Sequence, residues 1–522
     1  MKKYKLYILF PALMTLLGFL ASCGDQLYSD PAQQITEKQI IELSKSNPDA
    51  VLTPMAGNIE VYPKNQYRNV VWDRNLRVLL INMDYKGNDM VHLNTLPTSW
   101  MRRDYEMREY RIQTHEEPDS WWRWMYQYVY KANQFLALIP DFETVSNPEV
   151  LNKLQTFRAI GLTLRAWGYT YLMWNFQDDY LYGGKDKSGV PLYLEPDIPA
   201  VGRGQAQDIW NQIIADATEA VLLFNAGGRN PKANINDMDA TVANMILARA
   251  ALTMGDWNTV INATNAVIST YPTLMNETDY TTKGFGWMDV DEIIYGFDFD
   301  QTNGGTSSFH GWMHILGDGG YGGSQGHWNA IDSRLYDKID DNDYRKANFL
   351  DEPTEHNYAG AEMPVTLPKY ASMKFAAPAH TGVANYNQGE IFIRTSEAIL
   401  MKAEAQARSG QDAQAKETLN ILLAARTKEG ETPLTCDTYS SMAGMSAFEM
   451  VQLQTRIELW GEGFEFYNNK RWNINVDRVT PASLNHNFTG SSTYTPKPYY
   501  THQIPQGELQ YNPHIAPEDQ NQ

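Results

Sequence analysis

The sequence predicts a mostly α-helical protein: a tetratricopeptide-like helical-repeat scaffold, a large irregular loop-rich insert, and a C-terminal part carrying few short strands. Three observations predict it. First, Ala248-Arg249-Ala250 precedes Gly255-Asp256-Trp257 and a second helical stretch to Pro272. At an offset of 155, Ala403-Glu404-Ala405 precedes Gly410-Gln411-Asp412 and a second stretch to Arg426. Helix, tight Gly turn and second helix make one repeat unit, and such units bury their faces only by stacking on others. Second, apolar residues recur at helical spacing in further stretches that can supply those partners. Third, Lys283 to Trp328 is crowded with Gly, holds three Trp and three His, and keeps no helical period. A chain of 522 residues exceeds one ordinary core, and 43% hydrophobic with 20% charged residues fits a packed protein.

The chain opens on Lys2, Lys3 and Lys5, followed by an apolar run from Tyr7 to Leu20. The run is shorter than the ~20 residues a membrane helix needs, and it reads as a signal peptide. It ends Leu20-Ala21-Ser22-Cys23-Gly24, the pattern of a bacterial lipobox. We therefore expect a lipoprotein signal peptide over 1–22 and a lipid anchor on Cys23. The alternative is a plain secretory signal that contains a Cys. Cleavage would remove three positive charges and take the net charge from −19 to −22. Two glycerol-borne chains and an amide-linked acyl such as palmitate would anchor stably, where one chain is marginal.

A short helix is expected over 37–45. The stretch 63–117 is mixed, with Gly87, Pro97 and many Arg and Tyr, and is read as non-helical. Helices are expected over 119–138, 150–176 and 205–224. The first carries the stripe Trp121, Trp124, Met125, Tyr128, Ala132, Phe135, Leu136, and the second carries Leu154, Phe157, Gly161, Leu164, Gly168, Tyr171. Two Gly on that second stripe point to close helix–helix contact, since each costs about 1 kcal/mol of helix propensity. Residues 183–204, with Pro191, Pro196 and Pro199, are read as a loop. The repeat pairs are placed at 240–271 and 394–427. Ile293-Ile294-Tyr295 suggests a strand, and the tail after Trp472 is loop-rich. Cys436 has no partner other than Cys23 and reads as a quiet structural thiol.

Several segments together are similar to the SusD/RagB family of outer-membrane nutrient-binding lipoproteins. These are Cys23-Gly24-Asp25-Gln26-Leu27, Glu397-Ala398-Ile399-Leu400-Met401-Lys402-Ala403-Glu404-Ala405, Leu419-Asn420, Arg456-Ile457-Glu458-Leu459-Trp460-Gly461-Glu462-Gly463-Phe464, Lys470-Arg471-Trp472, Ile504-Pro505, Glu508-Leu509 and Asn512-Pro513. The resemblance covers the chain from Cys23 onward. It implies a SusD-like helical region over 23–280 and a SusD/RagB-type region over 281–522. It also implies a nutrient-binding protein in the outer membrane, facing outward. Its partner would be a TonB-dependent β-barrel transporter of the SusC type. The ligand is set by loops that diverge within the family.

The residues themselves select no catalyst. His310 and His314 are four apart, but no third ligand stands at metal spacing. Gly317 to Gly323 lacks the Lys-Ser/Thr of a phosphate loop. Asp298-Phe299-Asp300 opens like a calcium loop but has Asn303 and Phe309 where Gly and Glu are needed. No cofactor is expected. Arg456, Glu458 and Glu462 resemble an active-site cluster, yet such charges on an amphipathic helix read as a solvated face or structural ion pairs. The same segment carries Met450, Leu453, Ile457, Trp460 and Phe464, an ordinary core stripe.

What remains is aromatic surface: 14 Trp, 31 Tyr and 18 Phe. A sugar ring presents an apolar C–H face rimmed by hydroxyls, which flat rings and polar side chains match. Two regions offer that mixture. One holds Asn94, Trp100, Arg102 and Tyr105. The other holds Trp287, Trp312, Tyr321, Trp328 and Asn329, near Asn303, His310 and Asp318. Trp312 and Trp328 are the first candidates for ligand contact, with Trp287, Tyr321, Trp100 and Asn329 beside them. Filling a loop-rich core is the other use of such rings. The leading expectation is a non-catalytic protein that captures oligosaccharide or polysaccharide. Capture of peptides, a glycoside hydrolase and a protein-interaction adaptor are the competing uses. An acidic chain argues against nucleic acid as a partner.

Overall fold

The computed structural model describes residues 35–64, 76–92, 102–107, 111–231, 233–283, 285, 288–297, 329–356, 365–375, 389–479, 485–486, 493–494 and 500–521. Its main helices are α1 (Glu37–Ser44), α2 (Leu76–Asp84), α3 (Glu116–Ala137), α4 (Pro148–Phe176), α5 (Ala206–Gly227), α6 (Ala240–Met254), α7 (Trp257–Thr270), α8 (Thr395–Arg408), α9 (Asp412–Ala425), α10 (Ala447–Glu458), α11 (Glu465–Trp472) and α12 (Gln506–Tyr511).

Local side-chain chemistry starts several of these helices. Thr36 and Ser446 form capping boxes with Gln39 and Glu449. Asn147 and Asp239 accept backbone N–H groups at the starts of α4 and α6. Gly255 and Gly410 take φ of +76° and +79° in the tight turns of the two repeat pairs, as expected.

From α3 to α9 each helix packs on the next, so the repeat pairs stack in one array with their neighbours. A Cβ on Gly168 would meet the Met125 carbonyl oxygen at 3.1 Å, and one on Gly161 would meet Leu136 at 2.8 Å. The α3–α4 contact is close because both glycines lie in it.

The array does not stop at the long insert. Helix α7 packs directly on α8, although 124 residues separate Thr270 from Thr395. Strand β4 (Ile293–Phe297) pairs antiparallel with β6 (Glu390–Arg394), from Ile293↔Arg394 to Phe297↔Glu390, and so closes most of the insert at its base. The strand expected at 293–295 is therefore present.

Two readings are corrected. The region 63–117 is not wholly non-helical: all nine residues of α2 are buried, Arg77, Asn82 and Asp84 among them, so no polar face alternates with an apolar one. The 183–204 loop contains a strand pair, β2 (Ser188–Pro191) with β3 (Arg203–Gln205). Among the described residues no helix is long and apolar enough to cross a membrane.

Candidate functional site

Strand β1 (Met90–His92) pairs antiparallel with β5 (Asn329–Ile331), with His92 opposite Asn329 and Met90 opposite Ile331. The pairing joins two stretches 237 residues apart. His92 leads into the early region that holds Asn94 and Trp100, and Asn329 directly follows Trp328. His92, which precedes one of the aromatic regions singled out in the sequence, and Asn329, which ends the other, thus pair in one two-stranded ribbon.

A buried polar and aromatic cluster supports that end. The Tyr85 hydroxyl donates to the Asn329 carboxamide oxygen at 2.9 Å, and His92 Nδ1 lies 3.3 Å from the same oxygen. Tyr105, which closes the short helix Arg102–Tyr105, stacks on His486 with ring centroids 5.9 Å apart. Its hydroxyl donates to His486 Nδ1 at 2.6 Å, and His486 Nε2 donates to Asp332 at 2.8 Å. Burial lowers the pKa of the His486 imidazole, so the neutral ring is bonded at both nitrogens. Burial pushes Tyr105 up to about 12, which keeps its phenol a donor. Burial also opposes the charge on Asp332, but hydrogen bonds from His486 and Arg334 overcome it and hold the carboxyl below its usual range. Asn485 ties the C-terminal part in by donating to the Ile331 carbonyl at 2.7 Å and accepting from the Ser333 N–H at 3.0 Å.

Asn329 and Tyr105 are buried, and so belong to the support of the ribbon rather than to an open face. Trp100, Trp287, Trp312, Tyr321 and Trp328 lie outside the described residues, as do Asn94, Asn303, His310, Asp318 and Cys23.

Glu458 and Glu462 are not on a solvated face. Both are buried, in a set of four carboxylates and four cations. Glu458 accepts from Arg345 at 2.9 Å, Arg394 at 2.5 Å and Arg426 at 2.8 Å. Glu292 accepts from Arg394 and Arg426, Glu462 from Arg394 and Lys374, and Asp343 from Arg345. Desolvation opposes ionisation of Glu458, but the three guanidiniums win and hold it well below the carboxylate range. Burial brings Lys374 down to about 8. With charges balanced and every carboxylate bonded to a cation, the cluster reads as a lock between elements. It joins the starts of β4 and α8, the ends of α9 and α10, and residues 343–345. Arg456 sits apart, paired with Asp89. Among the described residues no group of three or more His, Cys, Asp or Glu could hold a metal ion.

Residues 300–522 match the family model described as the SusD family, and residues 61–241 match a SusD-like model described as starch-binding associating with outer membrane. The chain belongs to the SusD/RagB family. No curated protein matches it. Among solved structures it is similar to a SusD-like carbohydrate binding protein from Bacteroides vulgatus, at 20% identity and a TM-score of 0.69 over 92% of this chain and 98% of that one. It is also similar to a SusD superfamily protein from Bacteroides thetaiotaomicron, at 18% identity and a TM-score of 0.71 over 90% and 99%. A laminarin binding SusD-like protein aligns at 18% identity and a TM-score of 0.61 over 91% and 99%. At these identities the likeness shows the shared SusD-type fold.

Within this SusD/RagB chain, Tyr85, His92, Asp332 and His486 were not singled out from sequence. Their bonds span up to 398 residues, and none has a local signal. Tyr85 precedes the ribbon's first strand and His92 ends it, so only knowledge of the β1–β5 pairing would have picked them out.

Proposed function

We propose that the protein is a surface-anchored, non-catalytic glycan-capture protein of the outer membrane, lipidated at Cys23, that hands oligosaccharide or polysaccharide to a TonB-dependent transporter. The observation that carries the reading is the ribbon: it pairs His92, just before the early aromatic stretch in sequence, with Asn329, just after Trp328, in a chain of a family one of whose models is described as starch-binding. Trp312 and Trp328 are the proposed stacking residues, with Trp287, Tyr321 and Trp100 beside them and Asn329 bracing the ribbon beneath. A flat ring contributes by burying the C–H face of a sugar, on the order of 1–3 kcal/mol. A chain this acidic favours neutral over strongly anionic glycans.

A glycan array on the purified protein identifies the ligand, and calorimetry then compares Trp312→Ala and Trp328→Ala with the parent. Each substitution should weaken binding roughly 5- to 150-fold with an unchanged helical circular dichroism spectrum. Unchanged affinity in both variants refutes the assignment, and sugar release from the bound polysaccharide refutes the non-catalytic reading. Cys23→Ala should abolish fatty-acid labelling and free the protein from the membrane fraction. Recovery of a large β-barrel with the native lipoprotein tests the transfer step.

A further inference from the structure

Helix α3 is aromatic on two faces. One face is the core stripe of Trp121, Trp124, Met125 and Tyr128. The other repeats every fourth residue: Trp122, Tyr126 and Tyr130, one ring per turn. This second stripe floors an open groove of about 680 Å³, within the range of small-ligand sites. The proline-bearing stretch 192–200 forms one wall and α12 the other. The groove shares no residue with the ribbon cluster.

Trp122 is buried beneath the groove, while Tyr126 and Tyr193 are half-buried and held through their polar atoms. The Tyr126 hydroxyl donates to the Pro191 carbonyl at 2.8 Å, the Tyr193 hydroxyl accepts from the Val201 N–H at 3.2 Å, and Trp122 Nε1 donates to Glu508 at 3.2 Å. Tyr126 and Tyr193 stand edge to face at 5.8 Å. With the polar atoms taken up by the protein, what a ligand meets is ring surface. Two further rings stand open to water: Tyr130 is 43% exposed and Tyr511 84%. The wall also exposes Ile198. Asp197 beside it takes φ of +58°, a left-handed conformation that is strained for a residue with a Cβ. Large rings and aliphatic side chains gathered at one water-facing concavity mark a binding surface.

Charge selects the occupant. Asp119, Glu195, Asp197 and Glu508 line the groove, against a single cation among its described residues, Arg123. Asp119 and Arg123 pair with each other at 2.7 Å. That rim repels sulfated or uronic chains and offers exposed carboxylates at Glu195 and Asp197 to accept hydroxyl protons. We propose that this groove is a second saccharide site, separate from the ribbon, that takes neutral oligosaccharide by ring stacking on Tyr126, Tyr130, Tyr193 and Tyr511.

The test uses the full protein and the Trp312→Ala/Trp328→Ala variant, titrated with neutral six-residue gluco-, manno- and xylo-oligosaccharides and with an oligolysine peptide. The variant should retain binding of one neutral oligosaccharide. Adding Tyr130→Ala and Tyr511→Ala, both exposed and so harmless to folding, should weaken that binding roughly tenfold or more per ring. If the Trp pair alone abolishes all saccharide binding, or the tyrosine pair changes nothing, the second site is refuted. Failure of every neutral oligosaccharide to bind refutes it as well. Oligolysine binding that the tyrosine pair removes would instead make the groove a site for cationic peptide. If the Trp pair changes nothing while the tyrosine pair removes binding, the ribbon site fails and the groove stands.

Discussion

The α3–α4 contact and the Glu458 cluster are equally dry and are held in opposite ways. The helix contact has two glycines, a wall of Trp and Tyr rings, and no ion pair across its closest point. The cluster is built of eight ionised side chains with almost no exposure. Apolar packing is non-directional and tolerates loss in proportion to the area removed. A buried charge set is stable only while complete, because each ion was stripped of water to enter it. The two halves of the molecule should therefore fail differently.

The largest difference is expected from removing one charge. Glu458→Gln leaves Arg345, Arg394 and Arg426 facing a deficit of negative charge and should cost ~3–5 kcal/mol, read by denaturant unfolding. A loss below 1 kcal/mol would mean that water or rearranged partners replace the carboxylate. In the array, Gly168→Ala should cost about 1–3 kcal/mol by overpacking, since the new methyl meets the backbone carbonyl of Met125. Gly161→Ala should come out near neutral: its neighbour is the flexible end of Leu136, and the gain of about 1 kcal/mol in helix propensity offsets the squeeze. Equal losses at both glycines would show that the interface is looser than its geometry.

Protonation separates the regions next. Burial raises Asp84, at the end of α2, to about 7, although it accepts the N–H groups of Gly463 and Glu465. A raised carboxyl contributes stability that is full below its ordinary value of 3.8 and is lost as pH rises through about 7. Glu60, also raised to about 7 by burial, behaves alike. The Glu458 cluster has the reverse sign: its lowered carboxyls contribute above 4.5 and lose that contribution as pH falls through their folded values. Stability should therefore rise on acidification from pH 7 to about 4.5 and fall below it. Asp84→Asn should flatten the upper limb, by at most about 1.4 kcal/mol per pH unit. An upper limb of unchanged slope in that variant would refute the assignment.

The same contrast explains what could be read in the sequence. Gly turns and stripes are local, so Gly255, Gly410 and the α3–α4 glycines were legible. Helix α2 was not, because a helix buried all round carries no period. Glu458 looked like any helix-borne acid, since its partners Arg426, Arg394 and Arg345 lie 32 to 113 residues away. The ribbon is the intermediate case. The aromatic stretches on either side of it were visible in composition, but the pairing of His92 with Asn329 depends on a strand pair of three residues, below any sequence signal.

The smallest effect asks whether the two halves open as one. Cys436 is buried in the same core cluster as Leu453 and Ile457 of α10, and burial pushes its thiol up to about 11. At pH 8 it should react with an alkylating reagent only through opening of that core. Mass spectrometry of the Cys436 peptide then reports the opening free energy of the Glu458 side alone. Glu458→Gln should speed labelling tenfold or more, about 1.4 kcal/mol of easier opening. Gly168→Ala weakens the other core cluster and should leave the rate within about threefold, less than 1 kcal/mol. Acceleration of both variants in proportion to their global loss would mean that α7 packing on α8 couples the array to the insert side in a single cooperative unit. The charge cluster would then be a lock for the whole molecule rather than for its C-terminal half.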